Sequence, residues 1–370
     1  MSSNNSTNET PQETVYTPMD LTSPSSLVAF LAQILLILVN MTCNGLIILV
    51  FIKVKSFHLN MFNWYIANLA VADFMVSVDM THSLFKWYYG RWPFGELVCN
   101  VFFTVIYVAV HMSPFIITIM SLDRYLCVTI PMKYMYHHRS SKTRTLVMTG
   151  LCSSWCIVIA FYSILAFGWT TFTGHKDLDY ESECEMPFIK NLTMNLVWIS
   201  LTFLIPLVFL SYFNVQVYYK TKRQANIVSD YSRSSVVAQN GDSPTVSQND
   251  MEEEDSNMDG TDEAHVSNGN PREDYYSDHV QKANERRRLE RQRKSIILLA
   301  IYVAVFLICW LPFNIMLLVD TLCQTCQVSV NTYVACVYVL DINSVLNPIL
   351  YSVRNPNFRK DVMSLFYTPR

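Results

Sequence analysis

Seven long stretches of the chain are apolar and almost without charged residues. They run over 27–52, 61–85, 96–128, 146–168, 195–218, 295–319 and 329–352. A helix of about 20 apolar residues is long enough to cross a hydrocarbon core of roughly 30 Å. Charged residues make up 15% of the chain, whereas they make up about 25% of soluble domains. The sequence therefore predicts an all-α bundle of seven membrane-spanning helices, here called spans one to seven.

Positively charged residues are distributed unequally between the two sides of the predicted membrane. Segment 1–26 and the loop 320–328 contain no Lys or Arg, whereas the 286–294 end of the longest loop and the tail after span seven are rich in them. Because positive residues are retained on the cytoplasmic side, we expect an extracellular N-terminus and a plasma-membrane protein that crosses the bilayer seven times. The N-glycosylation sequons expected on the outer side begin at Asn4, Asn5, Asn8 and Asn191.

One long polar segment interrupts the series of spans. Residues 219–294 are rich in Ser, Asn, Asp and Glu, a composition that favours disorder, and only the two basic ends are expected to be helical. After span seven, residues 356–366 place apolar side chains on one helical face, which predicts an amphipathic helix on the inner leaflet. The predicted organisation is an N-terminus (1–26), spans one to five (27–218), a third cytoplasmic loop (219–294), spans six and seven (295–352) and a tail (353–370).

Several polar side chains lie near the middle of the predicted spans, where they are costly and usually functional. Asp73 is ionisable and lies in the middle of span two, and the others with oxygen atoms include Ser113, Asn343, Ser344 and Asn347. A carboxylate together with hydroxyl and amide oxygens suits a small hard cation. The alternative is that Asp73 only packs and forms hydrogen bonds.

Each span also contains one recognisable motif. In order these are Asn44, the segment 68–73, the triplet Asp123-Arg124-Tyr125, Trp155, Pro206, the segment 309–312 and the segment 347–351. Together they resemble the rhodopsin-type (class A) G-protein-coupled receptors. The resemblance implies a receptor, not an enzyme, that binds an extracellular ligand and activates a heterotrimeric G protein. A seven-span transporter is the rival class, but the charged relay or inverted repeats expected of one are not visible in the sequence.

The resemblance implies roles for particular residues. Asp73 with Ser113, Asn343, Ser344 and Asn347 would bind an allosteric sodium ion, the one metal expected, and no other cofactor is implied. Asp123 would hold Arg124 in the inactive state, and Tyr125 and Tyr351 would belong to the same G-protein-coupling region. Arrestin and a receptor kinase would act through the third cytoplasmic loop. A net charge of −3 gives no sign of a nucleic-acid partner, and the lipid bilayer is the other expected partner.

Cysteine positions suggest two extracellular disulfides. By resemblance, Cys99 at the outer end of span three pairs with Cys184 in the second outer loop. Cys323 and Cys326 lie three residues apart in the third outer loop and form either a local disulfide or two free thiols.

The ligand class is less constrained by the sequence. Segments 123–129, 310–314 and 320–326 resemble biogenic-amine and muscarinic receptors, and 212–214 resembles some histamine receptors. The ligand site implied by this resemblance comprises Tyr107, His111, Trp198, Thr202, Trp310, Phe313, Asn314 and Asp341. Amine receptors have an aspartate seven residues after the span-three cysteine, where this chain has Ile106. A buried ammonium without a counter-ion is disfavoured. Either the ligand is not an ordinary amine but a peptide or a lipid, or Asp341, with Asp79 as second candidate, replaces the missing carboxylate.

Three further departures from the family pattern concern signalling. Pro114, Asn214 and Gln292 occupy positions that usually belong to the activation switch. These departures predict a weak inactive lock and high basal activity, as in a constitutively active receptor.

Overall fold

The computed structural model describes residues 20–173, 184, 192–240, 297, 300–323, 326 and 328–366. Regular structure among these residues is entirely helical, and seven of the helices are long and apolar enough to cross a membrane. The predicted seven-span, all-α fold is thereby confirmed. The four predicted glycosylation sites, at Asn4, Asn5, Asn8 and Asn191, and the acidic part of the third cytoplasmic loop lie outside the described residues.

The seven spans follow one another along the chain as single helices with one irregularity. Their bounds are Pro24–Lys53, Met61–Tyr89, Gly95–Thr129, Ser141–Thr173, Leu192–Ile199 continued by Ile205–Asn240, Ala300–Leu322 and Val330–Arg354. The irregularity is a π-helical turn, Ser200–Leu204, within span five. A 3₁₀ turn (Lys55–Leu59) connects spans one and two, and a short helix (Pro131–Arg139, the loop helix) connects spans three and four.

Local sequence explains where several helices begin and end. The side chain of Asn60 accepts a hydrogen bond from the backbone of Phe62 at the start of span two, and Ser329 accepts one from Thr332 at the start of span seven. Both are N-cap residues that satisfy free backbone donors. Gly90 ends span two in the left-handed conformation (φ 65°), which is accessible to glycine at little cost.

The chain divides into two compact units. One comprises Met1–Asn214 with Leu298–Arg370, and the other is Val215–Ile297. The second unit contains the continuation of the span-five helix to Asn240. The residues predicted to bind ligand, sodium and the G protein belong to the first unit.

Within the first unit, burial differs strongly among the spans. Spans two and three are more than half buried, whereas spans one and four are mostly exposed. The exposed side chains of these outer helices are apolar, for example Leu35 at 62% and Ile157 at 68%, as expected for surfaces that face lipid. Polar side chains are instead buried between the helices, and these form the sites described below.

The C-terminal helix has the bounds that the sequence predicts, Pro356–Phe366. The side chain of Asn355 caps it by accepting hydrogen bonds from the backbones of Asn357 and Phe358, both at 3.1 Å. Phe358 is buried and its ring centroid lies 4.9 Å from that of Tyr351. This packing attaches the helix to the C-terminal end of span seven.

Candidate functional site

The Asp73 carboxylate lies at the centre of a buried polar cluster between spans two, three and seven. Its Oδ1 accepts a hydrogen bond from Ser113 at 2.9 Å, and its Oδ2 accepts one from Asn347 at 2.7 Å. The hydroxyl of Ser344 interacts with the same carboxyl group. Asp73 is 0% exposed. Asn347 Oδ1 has no hydrogen-bond partner among the described residues, so the cluster contains an unused oxygen of the kind that hard cations bind.

Two asparagines of span one extend this cluster. Asn40 donates to the Asp73 backbone carbonyl at 2.7 Å and to Ser77 Oγ at 2.9 Å. Asn44 donates to Asn40 Oδ1 and to the Ser344 carbonyl. The side chains of span one therefore join spans two and seven through buried amides, and Asn40 belongs to this network although it was not predicted as a site residue.

One predicted member of the sodium cluster does not reach the carboxylate. Asn343 is buried but is not among the hydrogen-bonding partners of Asp73 in the described part of the chain. It lies one residue from Ser344, which corresponds to about 100° of rotation around a helix. The two side chains therefore point in different directions, and the part of Asn343 in sodium binding stays a prediction.

Nearer the outer side, four aromatic rings from spans three, four, five and six form a continuous group, the aromatic cluster. Tyr107 stacks on Tyr162 with ring centroids 5.4 Å apart and meets Trp198 edge-on at 6.3 Å. Trp198 in turn contacts Phe313 at 6.1 Å. His111, one turn inward of Tyr107, lies 3.5 Å from the Tyr162 hydroxyl. Tyr162 was not predicted, since a tyrosine within an apolar span gives no distinctive signal.

The remaining predicted ligand residues of spans five and six are within four residues, in sequence, of Trp198 or Phe313 of the aromatic cluster. Trp310 packs on Phe306 with centroids 5.2 Å apart. Asn314 donates to the Trp310 carbonyl, and Thr202 donates to the Trp198 carbonyl, both at 2.8 Å. Three buried polar atoms have no partner among the described residues, namely Trp198 Nε1, Trp310 Nε1 and Asn314 Oδ1. Buried polar atoms in folded proteins normally have partners, so these three are available to a ligand or to water.

Asp341 lies in a different environment, beside spans one and two. Its carboxyl group is within electrostatic range of Asp79 in span two, and the side chain of Gln33 in span one is adjacent to it. Asp341 is 2% exposed, and its Oδ2 has no hydrogen-bond partner among the described residues. The two acidic residues proposed as alternatives from the sequence therefore lie in the same part of the bundle.

At the C-terminal end of span three, Asp123 is bonded mainly to a tyrosine of the loop helix. The Tyr134 hydroxyl donates to both carboxylate oxygens, at 2.9 and 3.1 Å. Arg124 Nε lies 4.0 Å from Asp123 Oδ2, and its guanidinium carbon lies 4.1 Å from the centre of the Phe62 ring. Arg124 is therefore held by a long ion pair and a cation–π contact, which are weak compared with a close bidentate pair. Burial, together with the nearby Asp123 carboxylate, raises the pKa of the Tyr134 phenol, so the phenol remains a neutral donor.

The other two residues of the predicted coupling region contact different spans. Tyr125 packs against Phe213 of span five at 5.5 Å. Tyr351 donates to Asn63 Oδ1 at 2.9 Å and accepts a hydrogen bond from Asn355 at 2.7 Å. Asn214, which replaces the usual tyrosine of span five, donates to the Leu210 carbonyl at 2.7 Å.

Both predicted cysteine pairs are disulfide-bonded. Cys99 is joined to Cys184, and both are 0% exposed. Cys323 is joined to Cys326, which decides between the two alternatives left open by the sequence.

Comparison with known proteins agrees with this arrangement. Residues 43–351 match the family described as 7 transmembrane receptor (rhodopsin family). Since this match covers most of the chain, the protein belongs to the rhodopsin family of seven-transmembrane receptors, and the predicted family resemblance is confirmed. Membership implies a multi-pass membrane receptor that has an extracellular ligand and a heterotrimeric G protein as partners.

Several relatives of the chain are amine receptors by name. It is 25% identical to 5-hydroxytryptamine receptor 1F of Mus musculus over 356 residues, which cover 92% of the chain and 93% of that receptor. It is 23% identical to octopamine receptor beta-2R of Drosophila melanogaster over 330 residues, which cover 88% of the chain but 59% of that receptor. A shorter match, 25% identical over 176 residues, covers 47% of the chain and 24% of the probable muscarinic acetylcholine receptor gar-1 of Caenorhabditis elegans.

Proposed function

We propose that this protein is a plasma-membrane receptor that binds a cationic amine from the extracellular side and thereby activates a heterotrimeric G protein. The observation that carries the proposal is the aromatic cluster together with the three unpartnered polar atoms of Trp198, Trp310 and Asn314. Aromatic faces attract cations by about 0.5–2 kcal/mol, and the unpartnered atoms offer hydrogen bonds to a polar ligand. The names of the serotonin, octopamine and muscarinic relatives favour the same ligand class.

The counter-ion of the amine is proposed to be Asp341. The usual position is occupied by Ile106, which is buried beside Tyr107 and carries no charge. The cation–π attraction between aromatic rings and an ammonium group is too weak to replace the missing ion pair in a site without water. Asp341 is buried, and its Oδ2 has no hydrogen-bond partner among the described residues.

The proposed signalling route runs along span three. Tyr107 and Asp123 are 16 residues apart, which is about 24 Å along a helix, and Ser113 contacts the Asp73 cluster between them. An agonist shifts the population toward the open state only to the extent that it binds this state more tightly than the inactive state. In the open state Arg124 would be released toward the G protein, since its contacts to Asp123 and Phe62 are weak.

Orientation and the remaining partners are part of the proposal. The distribution of Lys and Arg supports an extracellular N-terminus. The Ser-rich third cytoplasmic loop is the segment on which a receptor kinase and arrestin would act. Bound sodium at Asp73, Ser113, Ser344 and Asn347 would stabilise the inactive state.

A screen with G-protein activation sensors tests the proposal. The full-length receptor is expressed in cells with a panel of sensors and exposed to amines, peptides and lipids, and Arg124→Ala, expressed at the same surface density, serves as the signalling-deficient control. We expect an amine to increase activation in wild type but not in Arg124→Ala. A peptide or lipid agonist would contradict the ligand class alone. Wild-type basal activity equal to that of Arg124→Ala, with no response to any ligand, would contradict the receptor function.

A further inference from the structure

Span six is linked to span seven by a buried tyrosine, Tyr302, which lies near the N-terminal end of span six. Its hydroxyl donates a hydrogen bond to the backbone carbonyl of Asn347 at 3.4 Å, and its side chain is 2% exposed. This carbonyl is the only hydrogen-bond partner of the hydroxyl among the described residues. Since buried polar groups normally have a partner, the contact with span seven satisfies a group that would otherwise be costly to bury.

The residue that accepts this hydrogen bond also joins span seven to the Asp73 cluster. Asn347 donates from its Nδ2 to Asp73 Oδ2 at 2.7 Å, while its backbone oxygen accepts the hydrogen bond from Tyr302. A backbone carbonyl has two lone pairs, so Asn347 can accept from Tyr302 and from its own helix together. Span six is thereby connected to the buried carboxylate of span two through a single residue of span seven.

The turn of span seven that receives these contacts lacks one backbone hydrogen bond. Pro348 has no N–H group, so the carbonyl of Ser344, four residues earlier, loses its helical donor. That carbonyl instead accepts a hydrogen bond from Asn44 of span one at 3.2 Å. Asn347, directly before the proline, has its contacts with spans two and six. Side chains from three other spans therefore hold the turn 344–348 in place, and the contact from span six is one of them.

Tyr302 belongs to a row of aromatic residues on the face of span six that packs into the bundle. Phe306 and Trp310 follow it at intervals of four residues and are also buried, and residues four apart share one face of a helix. Phe306 packs on Trp310 and on Phe203 of span five, with ring centroids 5.2 and 5.7 Å apart. Ring packing tolerates small displacements, whereas a hydrogen bond depends on distance and direction. Tyr302 therefore makes the contact of this row that is most sensitive to a movement of span six.

We infer that Tyr302 is a latch that holds the N-terminal end of span six against span seven in the inactive receptor. Release of Arg124 toward the G protein requires this end of the bundle to open, and opening separates the Tyr302 hydroxyl from the Asn347 carbonyl. The bond is long, since about 2.7 Å is usual between two oxygen atoms, so it is weak enough to break during signalling. The inference rests on the proposed G-protein activation for its functional consequence, but not on the ligand class.

The test measures the distance between two spin labels in the purified full-length receptor in lipid nanodiscs, without ligand or G protein. The labels are attached at Ala300→Cys, at the start of span six, and at Leu59→Cys, in the 3₁₀ turn, and both positions are exposed. The exposed free cysteines Cys152 and Cys156 are replaced by Ser. Tyr302→Phe removes only the hydroxyl. We expect it to increase the ratio of long-distance to short-distance populations about two- to fivefold, the effect of losing one neutral hydrogen bond.

Tyr212→Phe, at an exposed tyrosine of span five, is the matched control and should keep the wild-type distances. In a second measurement, agonist-independent nucleotide exchange on the G protein, Tyr302→Phe should exceed wild type by the same factor, whereas damage to the fold would lower the exchange rate. Wild-type distances in Tyr302→Phe overturn the inference. So does an exchange rate at or below that of wild type, where wild type itself exceeds Arg124→Ala. If no variant exceeds Arg124→Ala but the longer distances appear, the receptor function fails and the latch stands, so the two proposals can fail separately.

Discussion

Asn347 of span seven donates a hydrogen bond of 2.7 Å from its Nδ2 to Oδ2 of Asp73 in span two. The other carboxylate oxygen accepts a hydrogen bond from Ser113 in span three at 2.9 Å. One buried carboxylate thus connects three spans, and Pro348, which lacks a backbone donor, directly follows Asn347. A cation at this carboxylate would stabilise the same arrangement of helices, and through it the Asp73 cluster would control signalling.

Sodium should inhibit signalling through Asp73. In wild type, replacing choline chloride with sodium chloride should lower basal or agonist-driven nucleotide exchange on the G protein, because bound sodium favours the inactive state. In Asp73→Asn the neutral amide binds sodium poorly, and this inhibition should be largely lost. Asp361→Asn, which removes a carboxylate of the C-terminal helix, should respond like wild type. An undiminished sodium response in Asp73→Asn would eliminate the sodium role of this residue.

The sequence was sufficient to find most of this cluster, for a physical reason. Polar side chains are rare in membrane spans, so Asp73, Ser113 and Asn347 stand out without any knowledge of contacts. The contacts among these side chains depend on how the helices are rotated and packed. The surrounding apolar sequence does not specify that packing. The sequence therefore could not indicate that Asn343, unlike Ser113 and Asn347, forms no hydrogen bond to Asp73 among the described residues.

Tyr134 should influence how firmly Asp123 holds Arg124. Its hydroxyl occupies both oxygens of Asp123, so Tyr134→Phe leaves the carboxylate free to approach Arg124, which already lies 4.0 Å away. The closer ion pair should stabilise the inactive state by about 1 kcal/mol, which lowers basal nucleotide exchange about fivefold. Tyr136→Phe, a change at an exposed tyrosine of the same loop helix, is the control and should have no effect.

A rise in basal activity in Tyr134→Phe would mean the opposite role, in which Tyr134 keeps Asp123 in its inactive position. This contact could not be predicted from the sequence. Tyr134 lies outside the apolar spans, in a loop where a tyrosine is unremarkable, and it reaches Asp123 only because residues 131–139 form a helix.

The disulfide between Cys99 and Cys184 should behave as one unit in a double-mutant cycle. Loss of a disulfide typically costs roughly 2–5 kcal/mol, so Cys99→Ala and Cys184→Ala should each reduce surface expression or ligand binding. The double variant should be no worse than either single variant, since both remove the same bond. Cys152→Ala, at an exposed free cysteine of span four, provides the control. Additive losses would show that the two cysteines act independently in the mature receptor.

The position of the carboxylate should decide how an amine agonist binds. If Asp341 is the counter-ion, Asp341→Asn should weaken an amine agonist by at least about 2 kcal/mol, or roughly thirtyfold in potency, because one member of a buried charge pair is removed. Ile106→Asp places a carboxylate beside Tyr107, so it should maintain or improve amine potency and partly restore it in the Asp341→Asn background. Asp320→Asn, at an exposed carboxylate near the outer end of span six, controls for a general loss of negative charge. Potencies are measured by G-protein activation at matched surface expression. An amine whose potency is the same in wild type and Asp341→Asn would exclude Asp341 as the counter-ion.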